Sequence, residues 1–195
     1  MKILAFETTD AVASVALYLD GAVDATAIDT DRRHAESVLP AAEALLARHG
    51  LTTADMDAFA ADAGPGSFTG VRIGVCTANA LGAAHNKPVI SVNALEALAY
   101  PFPDETVCAL IDARNGNGYA AVYRNGEAVV PPCACVNAEF VSALPSPCRM
   151  VGTATNAPRL PSAADVARIA AARKGEAEIL PIYLKLSQAE RMQKA

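Results

Sequence analysis

The chain has 195 residues, 52% of them hydrophobic and 19% charged, a balance that suits a packed core and excludes a disordered segment. A net charge of −5 excludes a chain that grips nucleic acid unaided. No apolar run approaches the roughly 20 residues of a membrane helix, so a membrane partner is not expected. The charge is uneven. Met1 to Cys148 carry 8 basic and 17 acidic residues, whereas Arg149 to Ala195 carry 8 basic and 4 acidic. A dispersed basic tail of this kind reads first as a solvated face. Five cysteines, an odd number, and an N-terminus without a long apolar core point to a reduced, cytoplasmic protein.

The first strand is ILAF, ended by Glu7. A second strand runs to the Asp20-Gly21 turn, and residues 22–28 form a third, closing an antiparallel meander. Helix one spans His34 to His49, with Val38, Ala42, Leu45 and Leu46 at helical spacing and Gly50 as its stop. Pro40 inside it predicts a kink. Asp57 to Ala63 is a buried strand, and the loop AGPGSFTG then opens helix two over Gly70 to Ala84. Pro88 to Val92 gives the last strand of the first half. Pro101 and Pro103 mark a boundary, dividing the chain into 1–100 and a smaller 101–195.

The second half repeats the first. ETTDAVASVALYLDGAV, from Glu7, aligns without a gap on DARNGNGYAAVYRNGEA, from Asp112, at an offset of 105. An acid ends an apolar strand in each copy. Ala16 matches Ala121, Tyr18 matches Tyr123, and Asp20-Gly21 matches Asn125-Gly126. The copy continues with strands to Val130, a helix near 137–144, a strand at Arg149–Val151 and a helix after Ser162, whose capping signal is completed by Asp165. Three antiparallel strands followed by helix, strand and helix describe a ribonuclease-H-like unit. Two such lobes, the second reduced, give an α/β fold that resembles the actin, sugar kinase and chaperone ATPase superfamily.

A nucleotide clasp needs anion-binding turns in both lobes. Thr8 and Thr9 suit the first and Gly116 and Gly118 the second, while Gly66 and Ser67 sit where helix two begins. Glu7, Thr8, Gly66, Ser67 and Asp112 are thus the candidates for a vestigial nucleotide or anion site. The pattern G-x-x-x-x-G-K-[ST] is absent, and the same glycines serve a tight turn equally well. His34, His49 and His85 lack a metal-binding spacing. Cys133 and Cys135 have no second pair, so they read as free thiols. No serine stands in a G-x-S-x-G elbow. No catalytic residue and no metal site are assigned.

Helix two offers a surface instead. Gly74, Ala78 and Gly82 recur every fourth residue, a smooth stripe over which another helix can pack closely. Val71, Val75 and Leu81 add apolar area, and the stripe serves either a partner or the chain's own sheet.

The blocks ILAFETTDAVASVALYLDG, RRHAESVLPAAEALLARHGL, AGPGSFTGVRIG and PVISVNALEALA, with LIDARN and PIYLKLSQAE later on, resemble the TsaB (YeaZ) family. Glu7 stands where an aspartate is expected. The resemblance implies a non-catalytic subunit of the machinery that places a threonylcarbamoyl group on adenosine 37 of ANN-decoding tRNAs. It implies a TsaD-like catalytic partner and a TsaE-like ATPase. ATP and a metal belong to those subunits, and no cofactor to this one. The chain is expected to form a homodimer when alone and to meet tRNA only through the complex. The partner interface implied for the first-lobe helices comprises Ser37, Val38, Ala41 and Leu45 of helix one with Val71, Gly74, Val75, Ala78 and Gly82 of helix two. The alternative is an independent small-molecule kinase or ATPase of the same superfamily. A metallopeptidase lacks the ligands it would need.

Overall fold

The computed structural model describes residues 1–28, 34–156 and 158–184. The five-residue stretch before helix one and the last eleven residues, which include part of PIYLKLSQAE and of the basic tail, lie outside that description.

The first sheet contains β1 (Lys2–Glu7), β2 (Ala13–Leu19), β3 (Ala22–Ile28), β4 (Ala58–Asp62) and β5 (Val89–Val92) in the order β3-β2-β1-β4-β5. The first three strands pair antiparallel, and β4 and β5 add parallel to β1. Burial on both faces accounts for the apolar runs of β1 and β4. One face packs α1 (His34–Arg48) and α2 (Phe68–His85) through Leu4, Phe6, Phe59, Val38, Leu45, Leu46, Val71 and Val75. Alternation along the strands turns Ile3, Ala5, Ala58 and Ala60 to the other face. α1 continues through Pro40 and is followed by Gly50 at φ +64°.

The second sheet contains β6 (Thr106–Asp112), β7 (Asn117–Arg124), β8 (Glu127–Val136) and β9 (Arg149–Val151) in the order β8-β7-β6-β9. The duplication is visible at the hairpin turns. Leu19 pairs with Ala22 and Arg124 with Glu127, flanking Asp20-Gly21 and Asn125-Gly126, all four at positive φ. The gapless offset fails one strand earlier. Glu7 pairs with Ser14, whereas Asp112 pairs with Gly118, one residue short of the position the offset implies. The loop after β6 is therefore shorter by one residue, and the second hairpin slips relative to its own first strand. β8 also runs to Val136, past the expected end at Val130, because irregular pairing absorbs Pro131 and Pro132.

The expected boundary at residue 100 separates the sheets but not the helices. α3 (Ala94–Ala99), capped by Asn93, was missed as an element, and it buries Ala94, Leu95, Leu98 and Ala99 on the second sheet. α5 (Ala163–Ala171) comes from the second half, yet it covers the free face of the first sheet through Val166, Ala167, Ile169 and Ala170. Its cap forms as expected, with Ser162 accepting from the Asp165 N–H. α4 (Asn137–Ser142) covers the remaining face of the second sheet with Phe140 and Val141. Each lobe thus lends a helix to the other's core. No described helix is long and apolar enough to cross a membrane.

The stripe on α2 is corrected by this packing. Gly74, Ala78 and Gly82 face the chain's own sheet, and Val38, Leu45, Val71 and Val75 are buried with them. These residues cannot offer a surface to a partner while the lobe stays folded. A Cβ on Gly82 would stand 2.5 Å from Val89 Cγ1 and 3.0 Å from the Lys87 carbonyl. Gly82→Ala is accordingly expected to lower the unfolding free energy by about 1–3 kcal/mol in urea titrations, whereas Ala80→Ser on the exposed side should stay within about 0.5 kcal/mol.

Candidate functional site

The expected anion site lies where β1 and β4 end beneath the start of α2, and its polar groups are engaged by the chain itself. The Thr8 hydroxyl donates to the Gly70 carbonyl at 2.6 Å and accepts from the Gly74 N–H at 3.0 Å. The Thr9 N–H and hydroxyl both donate to Glu7 Oε1, at 2.6 and 2.7 Å. The Ser67 N–H donates to the Thr9 carbonyl at 2.8 Å, and the Ser67 hydroxyl caps α2. So close an approach requires glycine. A Cβ on Gly66 would lie 2.7 Å from Thr9 Cβ, and one on Gly70 would overlap the Thr8 carbonyl. The glycine loop is therefore a seat for Thr8 and Thr9, with both hydroxyls turned inward.

Glu7 and Asp112, matched by the repeat, occupy different environments. Glu7 is fully buried; Asp112 is exposed at the end of β6, where it accepts from the Arg114 N–H at 3.0 Å. The acid that stands beside Glu7 is Asp62, at the end of β4, and it too is fully buried. Asp62 was missed. The signal was present in AFAAD, an apolar strand ended by an acid, as in ILAFE. The Thr9 hydroxyl lies 2.7 Å from Glu7 Oε1 and 3.5 Å from Asp62 Oδ2, and the Gly64 N–H donates to Asp62 Oδ1. Burial, and then the charge of Asp62, hold the Glu7 carboxyl well above the ordinary range, and burial pushes Asp62 up to about 7.

The second expected turn is a tight loop. Arg114, Asn115 and Gly116 all take positive φ, and a Cβ on Gly118 would overlap Asn137 Oδ1 and stand 2.9 Å from the Ile111 carbonyl. Among the described residues, no group of three or more histidines, cysteines and acids is placed to hold a metal ion. Cys108 is buried, and that burial pushes its thiol up to about 12.

The outward side of α2 is a different surface. Thr69, Cys76, Ala80 and Ala84 are exposed and Ile73 and Thr77 half-buried, so an uncharged stripe runs the length of the helix. Ala44 is exposed on neighbouring α1, with Ser37 and Ala41 half-buried. Beside this face residues 176–183 form a strap. Glu176 bridges to Val89, Ile179 exchanges two hydrogen bonds with the Asn79 side chain, and the Ile182 N–H donates to the Ala63 carbonyl. Tyr183 stacks on Phe68 and accepts from Arg72 Nε.

Removing the Thr8 hydroxyl leaves a buried carbonyl and N–H of α2 without their partner. Thr8→Val should cost about 1–3 kcal/mol in chemical denaturation and raise amide exchange at Gly74.

The chain is similar to several known proteins. The family model described as "TsaD: tRNA N6-adenosine threonylcarbamoyltransferase" matches residues 28–175. "tRNA threonylcarbamoyladenosine biosynthesis protein TsaB" of Escherichia coli is 39% identical over 131 residues, which cover 65% of this chain and 57% of that protein. The Bacillus subtilis protein of the same name is 35% identical over 138 residues, 67% of this chain and 60% of that one. This chain therefore spans little more than half the length of these relatives. The solved structure "YeaZ from Pseudomonas aeruginosa" superposes with a TM-score of 0.76 at 30% identity, over 94% of this chain and 99% of that one. A second Pseudomonas aeruginosa structure, described as similar to peptidase YEAZ, gives 0.81 at 28% identity, with the same coverage. With relatives of this name at 35 and 39% identity and a superposition on YeaZ over nearly the whole chain, the protein belongs to the TsaB/YeaZ family.

Proposed function

We propose that the chain is a non-catalytic subunit of the machinery that makes threonylcarbamoyladenosine in ANN-decoding tRNAs, and that it acts in the cytoplasm by binding rather than by chemistry. The observation that carries this reading is the closed seat of Thr8 and Thr9. A nucleotide enzyme needs free donors where β1 meets α2, and here the threonine hydroxyls and the Ser67 N–H are already committed within the chain. The names carried by the Escherichia coli and Bacillus subtilis relatives support the pathway. The match to the TsaD family model supports a partner built on the same frame.

The partner face in this reading is the outward side of α1 and α2: Ser37, Ala41 and Ala44 with Ile73, Cys76, Thr77 and Ala80. Uncharged small side chains let a second pair of helices approach closely, and the core of an interface is depleted of charge. A second copy occupies it when the chain is alone, and a TsaD-like catalytic subunit takes its place in the complex, which a TsaE-like ATPase then joins. ATP and metal chemistry belong to those subunits, and tRNA meets this chain only through them. The subunit raises activity by binding the partner's active arrangement more tightly than its inactive one, since only a differential affinity shifts a population.

Ala80→Arg puts a charge at the centre of this face without touching the core. It should weaken partner binding tenfold or more, about 1.4 kcal/mol per decade, and lower threonylcarbamoyladenosine in tRNA to the extent that complex is lost. Glu7→Gln, inside the lobe, should leave the modification near wild type at neutral pH. Nucleoside mass spectrometry of tRNA from cells carrying each variant reads both. Loss of the modification in Glu7→Gln with the complex intact would contradict the proposal.

A further inference from the structure

Two carboxyls at the ends of adjacent parallel strands, both fully buried, are held within 3.5 Å of one threonine hydroxyl. Strand alternation turns both toward the α5 face of the sheet, along with Ile3, Ala5, Ala58 and Ala60. Glu7 Oε2 has no hydrogen-bond partner. A buried ionised carboxylate with one oxygen unpaired, and a second carboxylate beside it, is a costly arrangement in a low-dielectric interior.

Among the described residues, the surroundings supply no cation to relieve it. In the loop after β1, Asp10 adds further negative potential. β2 presents Ser14 opposite Glu7, and the Ser14 hydroxyl accepts from the Ala163 N–H at the start of α5. Asp165 of α5 is engaged by Arg159 and Arg168. On α2, Arg72 lies over the Phe68 ring and donates to Tyr183, and His85 is at the far end against Phe59. β5 contributes Ser91 and Val92 opposite Ala61 and Asp62. No described lysine or arginine forms an ion pair with either acid.

We infer that Glu7 and Asp62 form a proton-held latch. While protonated they can lie side by side, so that the loop after β1 and the glycine loop stay closed under the start of α2, and full ionisation drives the two loops apart. Each acid holds its own loop. Glu7 binds the Thr9 N–H and hydroxyl, and Asp62 binds the Gly64 N–H. The next bonds outward, Ser67 N–H to the Thr9 carbonyl and Thr8 hydroxyl to Gly70 and Gly74, tie both loops to α2. Repulsion between the acids therefore acts on the junction that positions α2. The latch stands independently of the proposed pathway, because it is read in the isolated chain.

The sign of the pH dependence follows. Both acids bind protons more tightly in the folded chain than in the unfolded one, where they titrate near 4. Their stabilisation is complete below that range and is lost as pH rises through the folded values, about 7 for Asp62 and well above the ordinary carboxyl range for Glu7. Urea unfolding between pH 5 and 7 is compared for the wild-type chain, Glu7→Gln and Asp62→Asn. Each amide keeps the shape and cannot ionise. The folding equilibrium constant of each variant should rise relative to wild type across that window, by up to about tenfold per pH unit. A variant-to-wild-type ratio that does not change with pH would overturn the latch. Where a variant does not fold, the carboxyl carbons of Glu7 and Asp62 in the ¹³C-labelled wild-type chain decide. Titration of either in the ordinary range near 4 overturns the inference, and titration of both above that range upholds it.

Discussion

The architecture of the first lobe depends on how near the loop after β1 comes to the axis of α2. The Thr8 hydroxyl enters the first turns of the helix and takes the place of a missing side chain, bonding the carbonyl of Gly70 and the N–H of Gly74. That distance leaves no space for a Cβ at Gly66, Gly70 or Gly74. The glycines of GPGSFTGVRIG are thus the imprint of a close packing inside the lobe. With α2 drawn down onto β1 and β4, its small-residue side is spent on the sheet. Its other side is left outward, with an uncharged stripe from Thr69 through Ile73, Cys76, Thr77 and Ala80 to Ala84 that Arg72 flanks.

Much of the fold was legible in the sequence because local chemistry marked it. Asp20-Gly21 and Asn125-Gly126 specified their turns through positive φ. The 3.6-residue spacing of Val38, Ala42, Leu45 and Leu46 specified α1, and Ser162 with Asp165 specified the start of α5. What the sequence left obscure was non-local. A short helix such as α3 carries too few turns for its periodicity to stand out. Nothing in α5 itself reveals that its apolar face belongs to the first sheet rather than the second. The slip of one residue between the lobes is likewise set by pairing, not by composition.

The site shows the same division. Glu7, Thr8, Gly66 and Ser67 were identified together, and the structure brings them together. Asp112 was joined to them by the repeat, yet it lies exposed on the other sheet, while Asp62, 55 residues from Glu7 in sequence, lies beside it. Repeat symmetry pairs equivalent positions, whereas parallel strand pairing brings inequivalent ones together. The stripe on α2 erred for a related reason. Small residues at every fourth position mark close packing without specifying which neighbour is packed, and here the neighbour is the chain's own sheet.

In the proposed account, α2 has one side for the fold and one for a partner, and Cys76 reports on the second. It is the exposed cysteine of the described set, on the outward stripe, whereas Cys108 is buried and Cys133, Cys135 and Cys148 are partly covered. The most direct measurement is the rate of Cys76 alkylation, followed by peptide mass spectrometry, in the free chain and in complex with a TsaD-like subunit. The account predicts that complex formation slows modification of Cys76 by about tenfold or more, an occupancy effect worth about 1.4 kcal/mol, while the other thiols keep their rates. A Cys76 rate unchanged in a complex that light scattering shows to be fully formed would place the partner elsewhere and contradict it.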